Sequence, residues 1–299
     1  MTTIESVAVV GPGGVGGLLA ALLARTGTRM PCVGTEQSSA DLRTHPLVVR
    51  SHKFGEFEAP VGAATRLDDE YDAVLLTVKA TKLRESLRRI PAAAVGGALT
   101  VPFLNGVEHV SVLRQVYPAE QVIAATIRCE STRVGPGVIE HVSPFATIEV
   151  APGSDPDGRA RALAALLTRA GLDVRLRDDE TDMLWEKLGF LAPLALMTTH
   201  AQASAGVVRT RRRAELEAVI GEVATVARAA GASVDEAGAL EFFDNVPASM
   251  ESSMQRDAAA GRPTELEAIG GAILRAAERT GTRAPTTAAL VDDLRRRTA

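Results

Sequence analysis

Cysteine is almost absent from this chain. Cys32 and Cys129 are its only two, far apart, and neither belongs to a metal-binding or redox spacing. Both therefore read as reduced, buried residues, and no disulfide framework is available. Five histidines form no H-x-x-x-H or H-E-x-x-H pattern, so no metal is implied. Aromatic residues make up 3% of the 299, with Trp185 the lone tryptophan. There is no basic tract of useful length, and the formal net charge is −4, which gives no support for a nucleic-acid surface. No apolar run reaches membrane-spanning length free of charges and breakers, and no basic segment with a signal-like apolar core opens the chain. The expectation is a cytoplasmic protein with no membrane and no nucleic-acid partner. Its length suits two domains, or one α/β domain with a helical addition.

Glycine, by contrast, is abundant and placed. Ile4 to Val10 is a short run rich in β-branched residues. It leads directly into Gly11-Pro12-Gly13-Gly14-Val15-Gly16, and an apolar helical run follows from Leu18 to Leu23. Strand, glycine turn and helix in that order, with G-x-G-x-x-G at Gly11, Gly13 and Gly16, is the dinucleotide-binding fingerprint. The first glycine permits the tight turn, the second a close approach to pyrophosphate, the third helix-on-strand packing. The helix N-terminus then receives the anion through unpaired N–H groups and its dipole.

Further strands are expected at Arg29 to Val33, Leu47 to Arg50, Tyr71 to Val78, Ala98 to Pro102, Gln121 to Arg128, Gly137 to Val142 and Ala146 to Val150. The continuous apolar run in Tyr71 to Val78 suits a parallel strand buried on both faces. Helices are expected at Lys82 to Ile90 and Arg159 to Ala170. After about residue 180 the pattern turns helical throughout. Helices are expected over Asp182 to Thr199, Glu215 to Ala230, Glu267 to Thr280 and Thr286 to Arg296. The arginine cluster from Arg209 to Arg213 reads as the solvated start of a helix. The fold class is therefore α/β: a Rossmann-type parallel-sheet dinucleotide-binding domain over residues 1–176, then an all-helical domain over 177–299. The helix from Asp182 to Thr199 is placed at the join.

Four stations combine polarity with a useful place. Lys79 and Asn105-Gly106 each follow a strand. Lys187 lies in an otherwise apolar helix. The fourth is the passage from Ser252 to Asp257 and on to Gly261-Arg262-Pro263-Thr264-Glu265. Taken singly, each has a plain structural reading. Lys187 can snorkel its stem along a core-facing helix. Glu265 can be a first-turn acid after a Thr264 cap. Ser253 alone carries no information.

Together they resemble a known family, over nearly the whole chain. The landmarks are Val9-Val10-Gly11-Pro12-Gly13-Gly14-Val15-Gly16, Thr77-Val78-Lys79-Ala80, Leu104-Asn105-Gly106, Trp185-Glu186-Lys187-Leu188, and Ser253-Met254-Gln255-Arg256-Asp257 with Gly261-Arg262-Pro263-Thr264-Glu265. In order and interval the chain is similar to the ketopantoate (2-dehydropantoate 2-) reductases. The resemblance implies NADPH-dependent reduction of a small 2-oxo acid, nominally 2-dehydropantoate, to the 2-hydroxy acid. It places the family's general-acid lysine on Lys187 and its active-site glutamate on Glu265. The asparagine near nicotinamide and substrate falls on Asn105, and a substrate-binding serine on Ser253. It implies cofactor contacts at Gly11, Gly13, Gly14, Val15 and Gly16, with Lys79 on the phosphorylated-ribose side. A cation at the carbonyl oxygen makes physical sense, because reduction builds negative charge there.

Two departures are visible. The family follows its lysine with asparagines one and two helical turns later. Here those positions are Leu191 and Ala195, whose apolar side chains form no such hydrogen bonds and suit a more apolar 2-oxo acid. Thr198, Thr199 or His200 could supply replacement polar groups. At the end of the second strand the family often has an arginine for the 2′-phosphate, whereas this chain has Gly34-Thr35-Glu36. Glu36 suits the ribose hydroxyls of NAD, while Thr35 and Lys79 suit NADP. The expectation is NADP, with NAD left open. Rival readings are a β-hydroxyacid or imine-type dehydrogenase and a non-catalytic nucleotide sensor. A homodimer is left open.

Overall fold

The computed structural model describes residues 2–298. The chain packs as two units. The first runs through Leu104 and again over His109–Glu180, and the second comprises Asn105–Glu108 and the residues from Thr181 onward.

The first unit opens with β1 (Val7–Val10), α1 (Gly14–Ala24), β2 (Pro31–Val33) and α2 (Glu36–Thr44). Then come β3 (Leu47–Ser51), β4 (Gly55–Ala59), β5 (Gly62–Ala64) and β6 (Ala73–Leu76). After α3 (Leu83–Leu87) and α4 (Ala92–Val95), β7 (Leu99–Pro102) completes a five-stranded sheet of order β5-β2-β1-β6-β7, parallel throughout. Every residue of β1, β6 and β7 is buried, as a parallel strand covered on both faces requires. The Rossmann-type expectation is borne out.

After α5 (His109–Arg114), β8 (Ala124–Arg128), β9 (Ser131–Gly135), β10 (Val138–His141) and β11 (Thr147–Ala151) build two smaller sheets. Helix α6 (Arg159–Arg169) and β12 (Asp173–Leu176) follow. One sheet has the order β4-β3-β10-β9 and the other β12-β11-β8. The first of these covers α1. A side chain at Gly17 would lie 2.5 Å from Ile139 Cδ1 of β10 and 3.7 Å from Leu47 Cδ2 of β3. With covering sheets on both sides, Leu18 to Leu23 are buried all round, which is why that run is apolar on every face. Strands β4, β9 and β12 carry no sequence signal because most of their residues are exposed or half-buried at sheet margins. Cys32 is buried, and burial pushes its thiol up to about 12, whereas Cys129 is only partly buried, against expectation.

Helix α7 (Glu180–Ala201) carries the chain into the second unit and contains Pro193, which removes one backbone donor from the helix interior. Then follow α8 (Ala205–Arg211), α9 (Arg213–Ala229), α10 (Glu236–Asn245) and α11 (Ser253–Ala259). A π-helical turn (Glu267–Gly271) runs into α12 (Ala272–Thr280), and α13 (Pro285–Thr298) is last. No strand occurs among the described residues of this unit. The helices share one apolar cluster that includes Trp185, Leu188, Val219, Phe243, Met254, Ile269 and Leu290.

The arginine cluster is only in part the solvated helix start expected of it. Arg209 donates to the carbonyls of Phe243 (3.3 Å), Asp244 (2.8 Å) and Val246 (2.8 Å), at the carboxyl end of α10. Arg212 donates to His200 Nδ1 at 2.7 Å, and Arg213 pairs with Glu217 and Asp244. Helix-end carbonyls have no intrahelical donors and carry partial negative charge, so Arg209 ties α8 to the end of α10, while Arg211 is exposed and Arg213 opens α9 as the sequence suggested. No helix among the described residues is long and apolar enough to cross a membrane.

Candidate active site

In the first unit the parallel sheet brings its carboxyl ends to one edge, and the glycine turn lies there. Gly11 has φ +89°, a conformation open to glycine at little cost, and its N–H donates to Val33 O at 2.9 Å. Gly13 N donates to Gly11 O at 2.7 Å and is followed by α1, which has no side-chain cap. A Cβ at Gly16 would overlap Thr77 Oγ1 and the Gly11 carbonyl. Thr77 Oγ1 lies 2.9 Å from Val10 O and 2.8 Å from Gly11 O and donates to them, fixing the turn from β6. Val15 is half-buried against the core. A tight glycine turn, with open space where a Gly13 side chain would stand and an uncapped eleven-residue helix after it, fits the pyrophosphate of a dinucleotide.

Thr35 caps α2, accepting from Ser38 N at 3.3 Å, while Glu36 is the exposed first residue of that helix. Lys79 is exposed just beyond β6. Two supports of the turn were not read as such from the sequence. One is Thr77, noted there only as part of a landmark. The other is Ser131 of β9, whose Oγ donates to Gly14 O at 2.9 Å. Ser131 stands 117 residues from Gly14, in a strand without an apolar pattern, so no local signal could have found it. A depression of about 900 Å³ lined by Ser6, Arg29, Asp69, Tyr71 and Asp72 lies at the opposite, amino-terminal edge of the sheet from the glycine turn. Among the described residues no group of three or more His, Cys, Asp or Glu gathers as an ion site.

Asn105, Lys187, Ser253 and Glu265 all belong to the second unit. Asn105 Nδ2 donates to Glu265 Oε2 at 2.9 Å, although 160 residues separate them. Glu265 is 8% exposed and Lys187, on α7, 7%. Two ionisable side chains buried to that degree in one unit need charged or polar company to offset desolvation. Ser253 is exposed at the first position of α11, and its neighbour Ser252 is the buried cap, accepting from Gln255 N at 3.0 Å. Gly106, with φ +88°, lies against the Ala268 carbonyl of the π-helical turn, so a side chain there would overlap the oxygen.

Leu191 and Ala195 lie one and two turns beyond Lys187. Ala195 is buried in the apolar cluster and Leu191 packs against it. The replacement polar groups considered for this wall are mostly engaged elsewhere. Thr198 Oγ1 donates to Leu194 O at 2.7 Å and is 2.9 Å from Ser252 Oγ. His200 is held by Arg212 on one nitrogen and by Asp293 at 3.1 Å on the other. Thr199 Oγ1 is buried with no hydrogen-bond partner.

Comparison with known proteins agrees with this arrangement. Residues 7–154 match the family described as "Ketopantoate reductase PanE/ApbA", and residues 179–298 match its C-terminal counterpart. The chain is 29% identical over 293 residues to a 2-dehydropantoate 2-reductase of Mycobacterium tuberculosis, covering 95% of each. It is 27% identical over 283 residues to an uncharacterized oxidoreductase, YkpB, of Bacillus subtilis, covering 93% of each. A solved PanE/ApbA family ketopantoate reductase from Ralstonia eutropha superposes with a TM-score of 0.89 at 26% identity, covering 98% of each chain. With a parallel-sheet glycine-turn unit, a helical unit and both family segments matched along its length, this chain belongs to the ketopantoate reductase family of oxidoreductases.

Proposed function

We propose that this protein reduces the keto group of a small 2-oxo acid, nominally 2-dehydropantoate, with NADPH, and that Lys187 is the general acid. The observation that carries the reading is the Asn105–Glu265 hydrogen bond of 2.9 Å, in the same unit as the buried Lys187. NADPH, when bound, supplies the hydride. As the carbonyl carbon is reduced, negative charge develops on its oxygen. The Lys187 ammonium stabilises that charge more than it stabilises the neutral carbonyl, and donates the proton that completes the hydroxyl. Glu265, by accepting from Nδ2, fixes the Asn105 amide and leaves its Oδ1 and second N–H for ligand. Ser253 offers an exposed hydroxyl to the end of the substrate.

For the cofactor, Gly11, Gly13, Gly14, Val15 and Gly16 form the pyrophosphate cradle. The Thr35 hydroxyl and the Lys79 ammonium favour the 2′-phosphate of NADP. Glu36 opposes it and would accept from the ribose hydroxyls of NAD. A second substrate reading rests on Leu191 and Ala195. Both join the apolar cluster and Thr198 is already bonded, which favours a 2-oxo acid with an apolar side chain over one with a hydroxyl.

The test is cofactor oxidation followed by absorbance, with NADPH and NADH separately, over 2-dehydropantoate and branched apolar 2-oxo acids. Preferred turnover of 2-dehydropantoate supports the nominal substrate, and turnover only of the apolar acids selects the second. Lys187→Ala should lower kcat by about 10²–10⁴-fold while cofactor binding persists. Unchanged turnover in that variant would overturn the assignment of the acid.

A further inference from the structure

The excursion Asn105–Glu108 packs with the second unit, while the residues on either side of it, Leu104 and His109, belong to the first. Each of those four residues is held, Val107 by packing against the helical unit's apolar cluster. Asn105 bonds Glu265. Gly106 lies against the Ala268 carbonyl, where a Cβ would sit 3.1 Å from the carbonyl carbon. Glu108 receives a forked pair from Arg275, with Nε 3.0 Å from Oε1 and Nη2 2.7 Å from Oε2, and Arg279 adds a charge at 3.6 Å. Those Arg275 hydrogen bonds hold the Glu108 carboxyl below the usual carboxylate range, so the pair is ionised at neutral pH.

Arg275 reaches further. Its Nη2 also donates to Glu267 O at 2.7 Å, and its Nη1 to Glu267 Oε2 at 3.3 Å. Glu267 opens the π-helical turn two residues after Glu265. One guanidinium thus joins the loop that carries Asn105 to the segment that carries Glu265. π-Turns of this kind occur frequently at functional sites.

We propose that Glu108 and Arg275 are positioning residues for the reduction: their forked ion pair fixes the backbone of Asn105–Glu108 so that the Asn105 amide is presented to substrate from one orientation. The proposal rests on the proposed reaction. A hydrogen bond to Glu265 restrains only the Asn105 side chain, whereas the loop backbone is restrained by what holds Gly106, Val107 and Glu108, and of these only the Glu108 fork fixes an orientation. Part-exposed ion pairs contribute little to global stability, so a purely structural role would be nearly silent in activity. A bidentate arginine fork supplies geometry, which a lysine or a single hydrogen bond does not.

The experiment uses Glu108→Gln, Arg275→Met and Arg275→Lys in the full chain. Amide exchange is read on the peptide spanning 104–109 and on the peptide containing the glycine turn. Steady-state kinetics, NADPH binding and the primary isotope effect from deuterated NADPH are read in parallel. In the first two variants the 104–109 amides should exchange about tenfold faster with the glycine turn unchanged, and kcat should fall about ten- to a hundredfold with a larger isotope effect. NADPH affinity should stay within about twofold of the parent, and Arg275→Lys should fall between parent and Arg275→Met. Unchanged loop exchange would overturn the tether. Faster exchange with kcat within about twofold of the parent would overturn its catalytic meaning and leave the proposed reaction standing. A parent enzyme that reduces no 2-oxo acid would instead remove the proposed reaction, and the positioning role with it.

Discussion

Gly13 and Gly14 are adjacent, yet their substitution by alanine should fail in different ways. Gly13 has φ −83° and ψ −153°, open to any residue, and a Cβ there meets nothing closer than Gly11 O at 4.0 Å. Folding has no need of glycine at that position, and Gly13→Ala should change stability by less than about 1 kcal/mol, with the entropy of the unfolded chain favouring alanine. The new methyl would stand where a pyrophosphate has to approach the backbone. At Gly14 a Cβ would lie 2.6 Å from the Ser131 carbonyl carbon and 2.8 Å from Thr132 Cα, and closer still to the Ser131 oxygen. Carbon atoms rest about 3.5–4.0 Å apart, so α1 and β9 would have to separate by about 1 Å. Backbone offers no rotamer to relieve the overlap, and such overpacking costs about 1–3 kcal/mol. At about 2–4 °C per kcal/mol, Gly14→Ala should melt about 2–12 °C lower. Thermal melts with and without NADPH, and fluorescence titration with NADPH and NADH, separate the two cases. Gly13→Ala should melt like the parent and bind either cofactor at least about tenfold more weakly, a loss of about 1.4 kcal/mol. A Gly13→Ala protein that binds both cofactors normally would refute the cradle. A Gly14→Ala protein with the parent's melting temperature would refute the clamp by β9.

Two neighbouring threonines make a similar contrast in the helical unit. Thr198→Val loses the hydroxyl bonded to Leu194 O and Ser252 Oγ and should cost about 1–2 kcal/mol in denaturant unfolding. Thr199→Val removes a buried hydroxyl that has no hydrogen-bond partner and should be neutral, or stabilising by up to about 1 kcal/mol; the reverse order would refute the hydrogen-bond assignment. His141 supplies a pH dependence. Its Nδ1 is 2.8 Å from Ser51 Oγ, whose lone pairs already accept from Lys53 N and Phe54 N, so Ser51 donates to a neutral ring. Burial first, then nearby positive charge, holds the His141 pKa below its ordinary 6.5. The unfolded chain therefore binds the proton first as pH falls. The stability contribution is full above about 6.5 and is lost progressively below it, through the folded-state pKa. His200, depressed by burial and the adjacent Arg212, acts in the same direction. His141→Gln should flatten the first unit's share of this acid loss, and unfolding midpoints over pH 5–8 with the same slope as the parent would refute it.

Much of the fold was legible because the sequence carries it in local pattern. The glycine turn follows its strand without a gap. The fully buried strands β1, β6 and β7 read as apolar runs, and the helical unit reads from its stripes. Chemistry-bearing residues were legible as types at intervals, as with Lys187 in an apolar helix or Asn105 after a strand. Strands β4, β9 and β12 were not, since exposed margins demand no hydrophobic alternation. Nor was the work of Arg209, which looks solvent-facing in sequence and bonds three carbonyls in space.

Backbone sterics and hydrophobic period already dictate, residue by residue along the chain, where it must turn, which faces must be buried and which ionisable residues are available. Which of them meet is a property of the folded chain. It set Asn105 on Glu265 across 160 residues and Ser131 on Gly14 across 117. It also placed Asn105–Glu108 with the helical unit rather than with the strand that precedes it. Such pairings depend on side chains arriving from distant segments, and no local propensity or spacing encodes them.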